Sequence, residues 1–555
     1  MSIRHLLQIK GTKAPLPGLN TFISATEFDN FIQRDGICDW LSIVLPKHPI
    51  THPLAILFEK GVHFESSVID TLSRKIGMKL HKLSSLTTSR EYDAVTHRND
   101  LAASLDAMKR GQAIIYSPYL ASEKEGLRGI PDLIVRSDKI ATFFDVTVDE
   151  GESVFGKWYY VPVEIKFSTL HWDKSSRTLL NINRTKIYKT QLCTYAKILS
   201  DLQGTFPRQT FIIGKNTERV SLPYTQLGTV DFRHRDNEIV SLFYEGVEWL
   251  RDVKKHAHEW DFSIKLLPNM KVSHPLYDNE KKKIAEHFGD ITEFWQCSVK
   301  HRDKMLDASE GRITSWRNPN FSVDVLGVNE SVRPTLEKMV TINRDSSGPS
   351  VLPSKLKHNL LEWRDKDANE MFVDFETVGD LEESECFIFL IGVRYRGRYT
   401  SFLAEEISDS EEKSVVNAFY TFWCDSGCPK AWYWYAEDGF WSRVVKKHKL
   451  FLPVPVLWVD LYKVFSDSKE PVLVRGCKNF KLKSYVMSLV ALGKIKIDMP
   501  PEDCCNGMNA LFLAVEYYDD KRDQRDETKM KTIIKYNAFD CKSLYVLLEF
   551  IREAL

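Results

Sequence analysis

The sequence predicts an α/β protein in which two mixed domains flank a helical connector. Residues 1–220 and 366–555 alternate short apolar runs, rich in β-branched and aromatic residues, with stretches of helical spacing. This pattern indicates strands that alternate with helices. Residues 221–365 show mainly the three- and four-residue spacing of amphipathic helices. At roughly 150 residues per domain, a chain of 555 residues corresponds to between three and four such units.

The composition is that of a globular protein, with 43% hydrophobic and 27% charged residues, which excludes collagen, coiled coils and wholesale disorder. The longest apolar runs, such as 387–393, are far shorter than the roughly 20 residues that cross a bilayer. No charged stretch followed by an apolar core opens the sequence, and its ten cysteines include no CxxC pair. We therefore expect a soluble intracellular protein of the cytoplasm or nucleus, with no membrane partner.

The charges balance, because 76 Lys and Arg residues face 76 Asp and Glu residues. There is then no overall cationic field, and any contact with nucleic acid must come from local patches. Short lysine-rich stretches such as 446–449 and 478–483 are candidates, although each one alone is typical of a solvated surface. The motifs must therefore decide the function.

Three apolar runs in the N-terminal region predict neighbouring strands. They cover residues 133–135, 141–148 and 158–167, and a Gly-Ile-Pro turn precedes the first. If the three strands pair as a meander, Asp132 at the start of the first strand lies beside the third.

The third run contains a carboxylate and an ammonium on one face. Glu164 and Lys166 are two residues apart and project together, whereas Val163, Ile165 and Phe167 are expected to face the core. Carboxylates bind Mg²⁺ or Mn²⁺, and a nearby lysine can orient the attacking water and offset charge in phosphodiester cleavage. An ExK pair alone is usually a surface ion pair, but the upstream Asp132 favours a metal site.

Two helical features extend this set. Gln191 and Tyr195 share one helix face, and Gly61 to Glu65 opens another helix. Together with the PD and ExK motifs, this collection resembles the RecB-like branch of the PD-(D/E)xK nucleases, which have a restriction-endonuclease-like fold. The resemblance implies that the catalytic residues are Asp132, Glu164 and Lys166, that the metal ligands are Glu65, Asp132 and Glu164, and that Gln191 and Tyr195 contact nucleic acid.

This chain departs from that family in two ways. Glu65 stands where the family usually has a metal-binding His, although His63 lies two residues before it. Several relatives also hold an iron–sulfur cluster, but Arg34 stands where their first Cys would be, and no Cys triplet follows Tyr195. We therefore predict Mg²⁺ or Mn²⁺ as the cofactor and no iron–sulfur cluster.

A second set of acids lies in the C-terminal region. Asp374 and Glu376 fall on one face of a predicted strand, roughly 6.6 Å apart at about 3.3 Å per residue. Such a pair can bracket metal ions spaced roughly 3.5–4 Å apart. Tyr536 and Asp540 are four residues apart and so share one face of a predicted C-terminal helix.

This second set resembles the DEDDy exonucleases of RNase H-like fold. The resemblance implies that Asp374, Glu376 and Asp540 bind metal and that Tyr536 orients the attacking water. The family also has a middle acid after a strand. We assign it to Glu437, which follows the aromatic run 432–435, with Asp438 as the alternative.

Other residues of this region have simpler expected roles. Asp460 ends an apolar run and is expected to cap the next helix. Lys481 and Lys483 precede a helix, where they could contact the phosphates of a nucleic acid. The sequence contains no P-loop or helicase motif, so any motor, such as a helicase or another replication partner, would be another chain.

The two motif sets together resemble the fused RecB-like and RNase H-like nucleases of bacteria and large DNA viruses. That resemblance predicts domains at 1–220 and 366–555 joined by a connector at 221–365. It implies metal-dependent, exonucleolytic hydrolysis of DNA, with RNA as the alternative substrate, in replication, repair or recombination. Two other hypotheses stay open: one site has degenerated into a module that grips nucleic acid, or the protein is a non-catalytic nucleic-acid-binding scaffold.

Overall fold

The structure is a computed structural model that describes residues 3–7, 22–45, 52–77, 79–84, 94–173, 178–182, 184–217, 226–261, 264–366, 369–379, 386–502, 504 and 506–555. The chain divides into two compact units, residues 1–286 and 287–555. Residues 221–286 of the predicted connector therefore belong to the first unit and residues 287–365 to the second. No helix within the described residues is long and apolar enough to cross a membrane.

The first unit mixes helices with short strands. Its helices are α1 (Ile3–Leu6), α2 (Asp29–Ile32), α3 (Ile37–Val44), α4 (His52–Ile76), α5 (Ala94–Lys109), α6 (Ile140–Phe143), α7 (Thr185–Gln203), α8 (Asn237–His256) and α9 (Asp278–Phe288), which runs past residue 286. Its strands are β1 (Ile23–Ser24), β2 (Ile114–Tyr116), β3 (Leu120–Ser122), β4 (Leu127–Gly129), β5 (Leu133–Arg136), β6 (Tyr160–Leu170), β7 (Gln209–Thr217) and β8 (Gly228–Asp231).

A five-stranded sheet in the order β2-β5-β6-β7-β8 forms the centre of this unit. Strand β6 pairs antiparallel with β5 and parallel with β7. Val163 and Ile165 of β6 lie in a core with Val68 and Leu72 of α4. Alternation along β6 therefore leaves Glu164 on the opposite face.

Two expectations for this sheet are wrong. The run 141–148 does not contribute a strand: residues 140–143 form α6, in which Ile140 and Phe143 are buried one turn apart, and β5 pairs directly with β6. Phe167 does not lie in the core but is 38% exposed. The β6–β7 register shifts by one residue between Lys166 and Thr169, which interrupts the regular alternation of side chains at Phe167.

The second unit contains helices α10 (Val299–Ala308), α11 (Arg333–Arg344), α12 (Asp409–Asp425), α13 (Glu437–Lys447), α14 (Leu461–Phe465), α15 (Leu482–Ala491), α16 (Gly507–Asp519) and α17 (Glu527–Ala554). Its strands are β9 (Val351–Leu352), β10 (Glu370–Gly379), β11 (Cys386–Tyr395), β12 (Arg398–Leu403), β13 (Lys430–Tyr433), β14 (Trp458–Asp460) and β15 (Leu473–Val474).

Strand β10 is the middle strand of a second five-stranded sheet, in the order β12-β11-β10-β13-β14. The β12-β11-β10 side is antiparallel, whereas β10, β13 and β14 run parallel to one another. Helix α17 packs against β10 and β11. The strand that carries Asp374 and Glu376 therefore lies directly beside the helix that carries Tyr536 and Asp540.

Candidate active sites

The first acid cluster forms where β5 and β6 pair. Leu133 lies opposite Val163, so Asp132, one residue before β5, reaches the ExK stretch of β6. Its Oδ2 accepts a hydrogen bond of 2.6 Å from the backbone N–H of Ile165. The structure thus brings Asp132 beside the ExK stretch, as expected, but through direct pairing of β5 with β6 rather than through a three-stranded meander.

Glu164 is the buried member of this cluster, with only 1% of its surface exposed. Its Oε2 lies 2.8 Å from Nζ of Lys166, whereas its Oε1 is buried and has no hydrogen-bond partner among the described residues. A buried carboxylate oxygen left unpaired is costly, and native structures rarely keep one without a reason. Coordination of a hard divalent cation would satisfy this oxygen.

The electrostatics of the cluster favour the same conclusion. Burial raises the pKa of Asp132 well above its usual range, and the neighbouring charge of Glu164 raises it further. Burial alone would lower the pKa of Lys166, but Glu164 and Asp132 outweigh it and raise that pKa to about 12. The ammonium of Lys166 therefore stays charged, but its single positive charge does not fully offset the negative charge of the acids.

Glu65, rather than His63, belongs to the cluster. The negative charge of Glu65 contributes to the raised pKa of Asp132, and its Oε1 accepts a hydrogen bond of 2.9 Å from the hydroxyl of Tyr116. His63 is exposed. Glu65 is therefore placed where it could serve as a third ligand to a metal, and Tyr116, which the sequence analysis missed, orients it.

Gln191 and Tyr195 lie beneath the cluster. Gln191 donates a hydrogen bond of 2.9 Å to the Tyr195 hydroxyl, which in turn donates one of 3.2 Å to the carbonyl of Ile130. Both residues are buried, with Tyr195 only 1% exposed. They hold the turn that leads to Asp132. Their predicted contact with nucleic acid stays a prediction.

The second cluster is built around β10. Val373 and Phe375 are buried on one side of the strand, so Asp374 and Glu376 project from the other. The side-chain amide of Asn537 links the two acids: its Nδ2 lies 2.8 Å from Oδ2 of Asp374 and 3.4 Å from Oε1 of Glu376. The predicted same-face pair therefore exists and is held by a residue of α17.

Tyr536 and Asp540 share one face of α17, and Lys483 joins them there. Lys483 donates a hydrogen bond to the Tyr536 hydroxyl, and its Nζ lies 3.6 Å from Oδ2 of Asp540. The other oxygen, Oδ1 of Asp540, is buried with no hydrogen-bond partner among the described residues. Lys481, by contrast, is exposed. The two lysines thus differ: Lys483 lies in the acid cluster and Lys481 at the surface.

The structure separates the two candidates for the middle acid. Glu437 is buried, and its charge contributes to the raised pKa values of Asp374 and Glu376, whereas Asp438 is exposed. Asp460 caps α14, as predicted, by accepting a hydrogen bond of 3.0 Å from the N–H of Tyr462. The acid that lies with the DxE pair is therefore Glu437.

Among the described residues, three buried carboxyl groups and the half-buried Asp374 thus lie near one ammonium, that of Lys483, in the second cluster. Burial, reinforced by the neighbouring acids, raises the pKa of Asp374 well above its usual range and that of Glu376 to about 8. Burial likewise raises the pKa of Glu437 to about 8 and that of Asp540 to about 6. These residue types and their crowding fit one or more divalent cations.

Three residues that position the DxE pair escaped the sequence analysis. The hydroxyl of Tyr399 donates a hydrogen bond of 2.9 Å to Oδ1 of Asn537 and so orients its amide toward the acids. Gly392 lies directly opposite Asp374, and a Cβ there would come within 1.6 Å of Oδ1 of Asn537. In the sequence, these positions are marked only by the polar Asn537 and by Gly392, each of which stands in an otherwise apolar stretch.

Another acidic group, Asp409, Glu412 and His448, has metal-ligand geometry. Its members are already paired with protein groups. Glu412 accepts hydrogen bonds from the backbone N–H of Ile388 and from Lys447, and its Oε2 also lies 2.7 Å from Nε2 of His448. Lys447 also lies 2.6 Å from Asp409. A lysine ammonium therefore occupies the position a cation would take.

Comparison with known proteins identifies part of the second unit. A family model described as the RNase H superfamily matches residues 371–552. The match covers the acids of the second cluster, Asp374, Glu376, Glu437 and Asp540, and it indicates an RNase H-like domain with a nuclease-type function. No curated protein matches the chain.

The close approach of Tyr195 to Gly129 leads to a stability prediction. A Cβ at Gly129 would lie 2.5 Å from Cε1 of Tyr195, so Gly129→Ala should overpack the site and destabilise the first unit by about 1–3 kcal/mol. Gly61→Ala is the control, because nothing lies within 4 Å of that Cβ and alanine favours the helix. Thermal unfolding measures both variants. Equal melting temperatures would contradict the packing described.

Gly392→Ala should displace Asn537 and release Asp374 and Glu376 from its amide. We expect a loss of about 1–3 kcal/mol in the second unit, and partial recovery in Gly392→Ala with Asn537→Ala, since the smaller side chain removes the clash. Gly439→Ala, at a helical position with nothing within 4 Å, should be neutral or stabilising. Urea unfolding of the four proteins tests this, and the absence of any recovery in the double variant would argue against the clash.

Proposed function

We propose that the protein is a metal-dependent nuclease that hydrolyses phosphodiester bonds of DNA, with RNA as the alternative substrate. Its RNase H-like domain would act as an exonuclease on strand ends. The observation that carries the proposal is the convergence of four acids from β10, α13 and α17, three of them buried and Asp374 half-buried, within the region that matches the RNase H superfamily. Such a cluster is costly to fold without a cation and suited to phosphoryl transfer with one.

In this proposal the residues of the second site divide the work. Asp374, Glu376, Glu437 and Asp540 would hold Mg²⁺ or Mn²⁺, which when bound stabilises charge on the phosphate and activates water. The hydroxyl of Tyr536, held by Lys483, would orient the attacking water. The ammonium of Lys483 would offset charge that develops on the phosphate oxygens.

We propose a second nuclease centre, similar to RecB-like PD-(D/E)xK enzymes, in the first unit. Asp132, Glu164 and Glu65 would hold the metal, and Lys166 would orient water or stabilise the leaving group. Support comes from the contact of Asp132 with the ExK strand and from Oε1 of Glu164, which is buried and has no hydrogen-bond partner among the residues described. We also propose that a motor or replication partner, where one is needed, is a separate chain.

Cleavage of end-labelled linear, circular, nicked and single-stranded substrates tests the proposal. We expect digestion in Mg²⁺ or Mn²⁺ and none with chelator. Asp374→Asn with Glu376→Gln should remove one component of the activity, and Asp132→Asn with Lys166→Met the other. Each loss should be at least about 100-fold, since metal sites stabilise the transition state by several kcal/mol.

The matched control for these variants is Asp438→Asn, an exposed acid beside Glu437 that should leave cleavage unchanged. Loss of only one component would indicate that the other site grips nucleic acid without cutting. Binding without any digestion by the wild type would favour the scaffold hypothesis. Identical digestion by all variants would show that other residues carry the chemistry.

The raised pKa values also predict how metal ions affect stability at different pH. Without metal, the folded second unit holds protons on Glu376 and Glu437 up to a pKa of about 8, whereas the unfolded chain releases them near its ordinary pKa. The stability contributed by these groups is therefore fully present below pH about 4.5 and is lost as pH rises through about 8.

Mg²⁺ binds the charged carboxylates, so the increase in melting temperature on adding it should grow from pH 6 to pH 8.5. Differential scanning fluorimetry with and without metal measures this shift. In Asp374→Asn with Glu376→Gln, the metal-dependent stabilisation of the second unit should be largely lost. A shift that is independent of pH, or that persists in this variant, would contradict the assigned ligands.

A further inference from the structure

One exposed tyrosine at the rim of the second cluster has a strained backbone. Tyr435 lies between β13 and α13 with φ of 80°, and its side chain is 71% exposed. A bulky residue rarely adopts this left-handed conformation, which persists only where the surroundings impose it. Here Oδ1 of Asp460 accepts a hydrogen bond of 3.1 Å from the Tyr435 N–H. The fold therefore tolerates strain while leaving a large aromatic ring in solvent.

Among the described residues, the ring of Tyr435 has one close aromatic neighbour, Tyr462, at the start of α14. Their centroids are 5.2 Å apart at an angle of 65°. We call these two residues the tyrosine pair. They lie where β13 and β14 end side by side, since Tyr433 is opposite Asp460 in the parallel register.

The surroundings of the tyrosine pair connect it to the acids. Glu437 follows Tyr435 by two residues and is buried in the second cluster. On the other side, Tyr462 meets the ring of Phe480 at 6.3 Å, and Phe480 immediately precedes the exposed Lys481. Two residues further, Lys483 contacts Tyr536 and lies near Asp540. The exposed ring of Tyr435 and the surface Lys481 thus lie on segments that adjoin the predicted metal-binding carboxylates.

We propose that the tyrosine pair stacks against the base at the end of a single-stranded nucleic acid and so positions its terminal phosphodiester over the acids. This inference rests on the proposed function and names the substrate contact of that site. Every base has an aromatic face, so the contact would tolerate sequence, whereas bases inside a duplex are already stacked. Lys481 is placed to meet the phosphates of the same strand.

Substitution of Tyr435 by glycine separates this role from a structural one. Glycine adopts positive φ without strain, so Tyr435→Gly should leave the melting temperature unchanged or higher. Its affinity for a labelled single strand, measured by fluorescence anisotropy in Ca²⁺, should fall roughly 5- to 150-fold, the value of one stacked base. Tyr435→Trp should retain wild-type affinity. Phe451→Ala, which removes an 88% exposed ring before β14, should change nothing.

An abasic residue at the strand terminus provides the decisive comparison. It should weaken binding by the wild type, and Tyr435→Gly should then show no further loss, because the base that stacks is gone. Equal affinity of wild type and Tyr435→Gly for the normal strand would overturn the proposal. It would also be overturned if Tyr435→Gly lowered the affinity equally for the normal and the abasic strand. The binding experiment compares three substrates: single-stranded DNA, single-stranded RNA and blunt duplex. A preference of the wild type for the duplex would also overturn the proposal.

The outcome for the tyrosine pair can be distinguished from that for the nuclease. If Tyr435-dependent stacking is found but the wild type cleaves nothing in Mg²⁺ or Mn²⁺, the stacking proposal stands and the nuclease proposal fails. If cleavage depends on Glu376 but neither Tyr435→Gly nor the abasic end has any effect on binding, the nuclease proposal stands and the stacking proposal fails.

Discussion

Both candidate sites depend on carboxyl groups buried close enough together to repel one another. Removing such charges from water is expensive, and the repulsion between them adds to that cost. Within the described residues, each site has one lysine in contact with its acids, Lys166 in the first and Lys483 in the second. A buried carboxylate oxygen of Glu164 and one of Asp540 have no hydrogen-bond partner in the part of the chain that the structure describes. Without metal, some of these acids therefore stay protonated in the folded chain. A divalent cation that binds them would displace these protons.

Two sheets of different topology reach this arrangement by similar means. In each sheet, an internal strand carries two functional residues that are two positions apart. Immediately after the second of them, the register between this strand and one neighbouring strand shifts. Helices then supply the other groups: Glu65 from α4 in the first unit, and Tyr536 and Asp540 from α17 in the second. A glycine permits close packing in both, at Gly129 against Tyr195 and at Gly392 against Asn537.

Short-range spacing made much of this predictable. The period of a strand places Asp374 with Glu376, and the period of a helix places Tyr536 with Asp540, because these faces follow from backbone geometry alone. Features set by contacts distant in sequence were not predictable. The amide of Asn537 reaches β10 from about 160 residues away, and the buried position of Glu437 relative to Asp438 depends on how α13 begins. Likewise, the spacing of the sequence did not show that β5 pairs directly with β6 or that residues 140–143 between them form a helix.

The charge balance also distinguishes the two sites. The first has three acids, Glu65, Asp132 and Glu164, against Lys166, whereas the second has four, Asp374, Glu376, Glu437 and Asp540, against Lys483, counted among the described residues. The excess of acids over lysines is therefore larger at the second site, and this site should bind cations more strongly. In the first, the ammonium of Lys166 lies 2.8 Å from Glu164 and already offsets part of the charge. Cation binding should accordingly contribute more to the folding stability of the second unit than to that of the first.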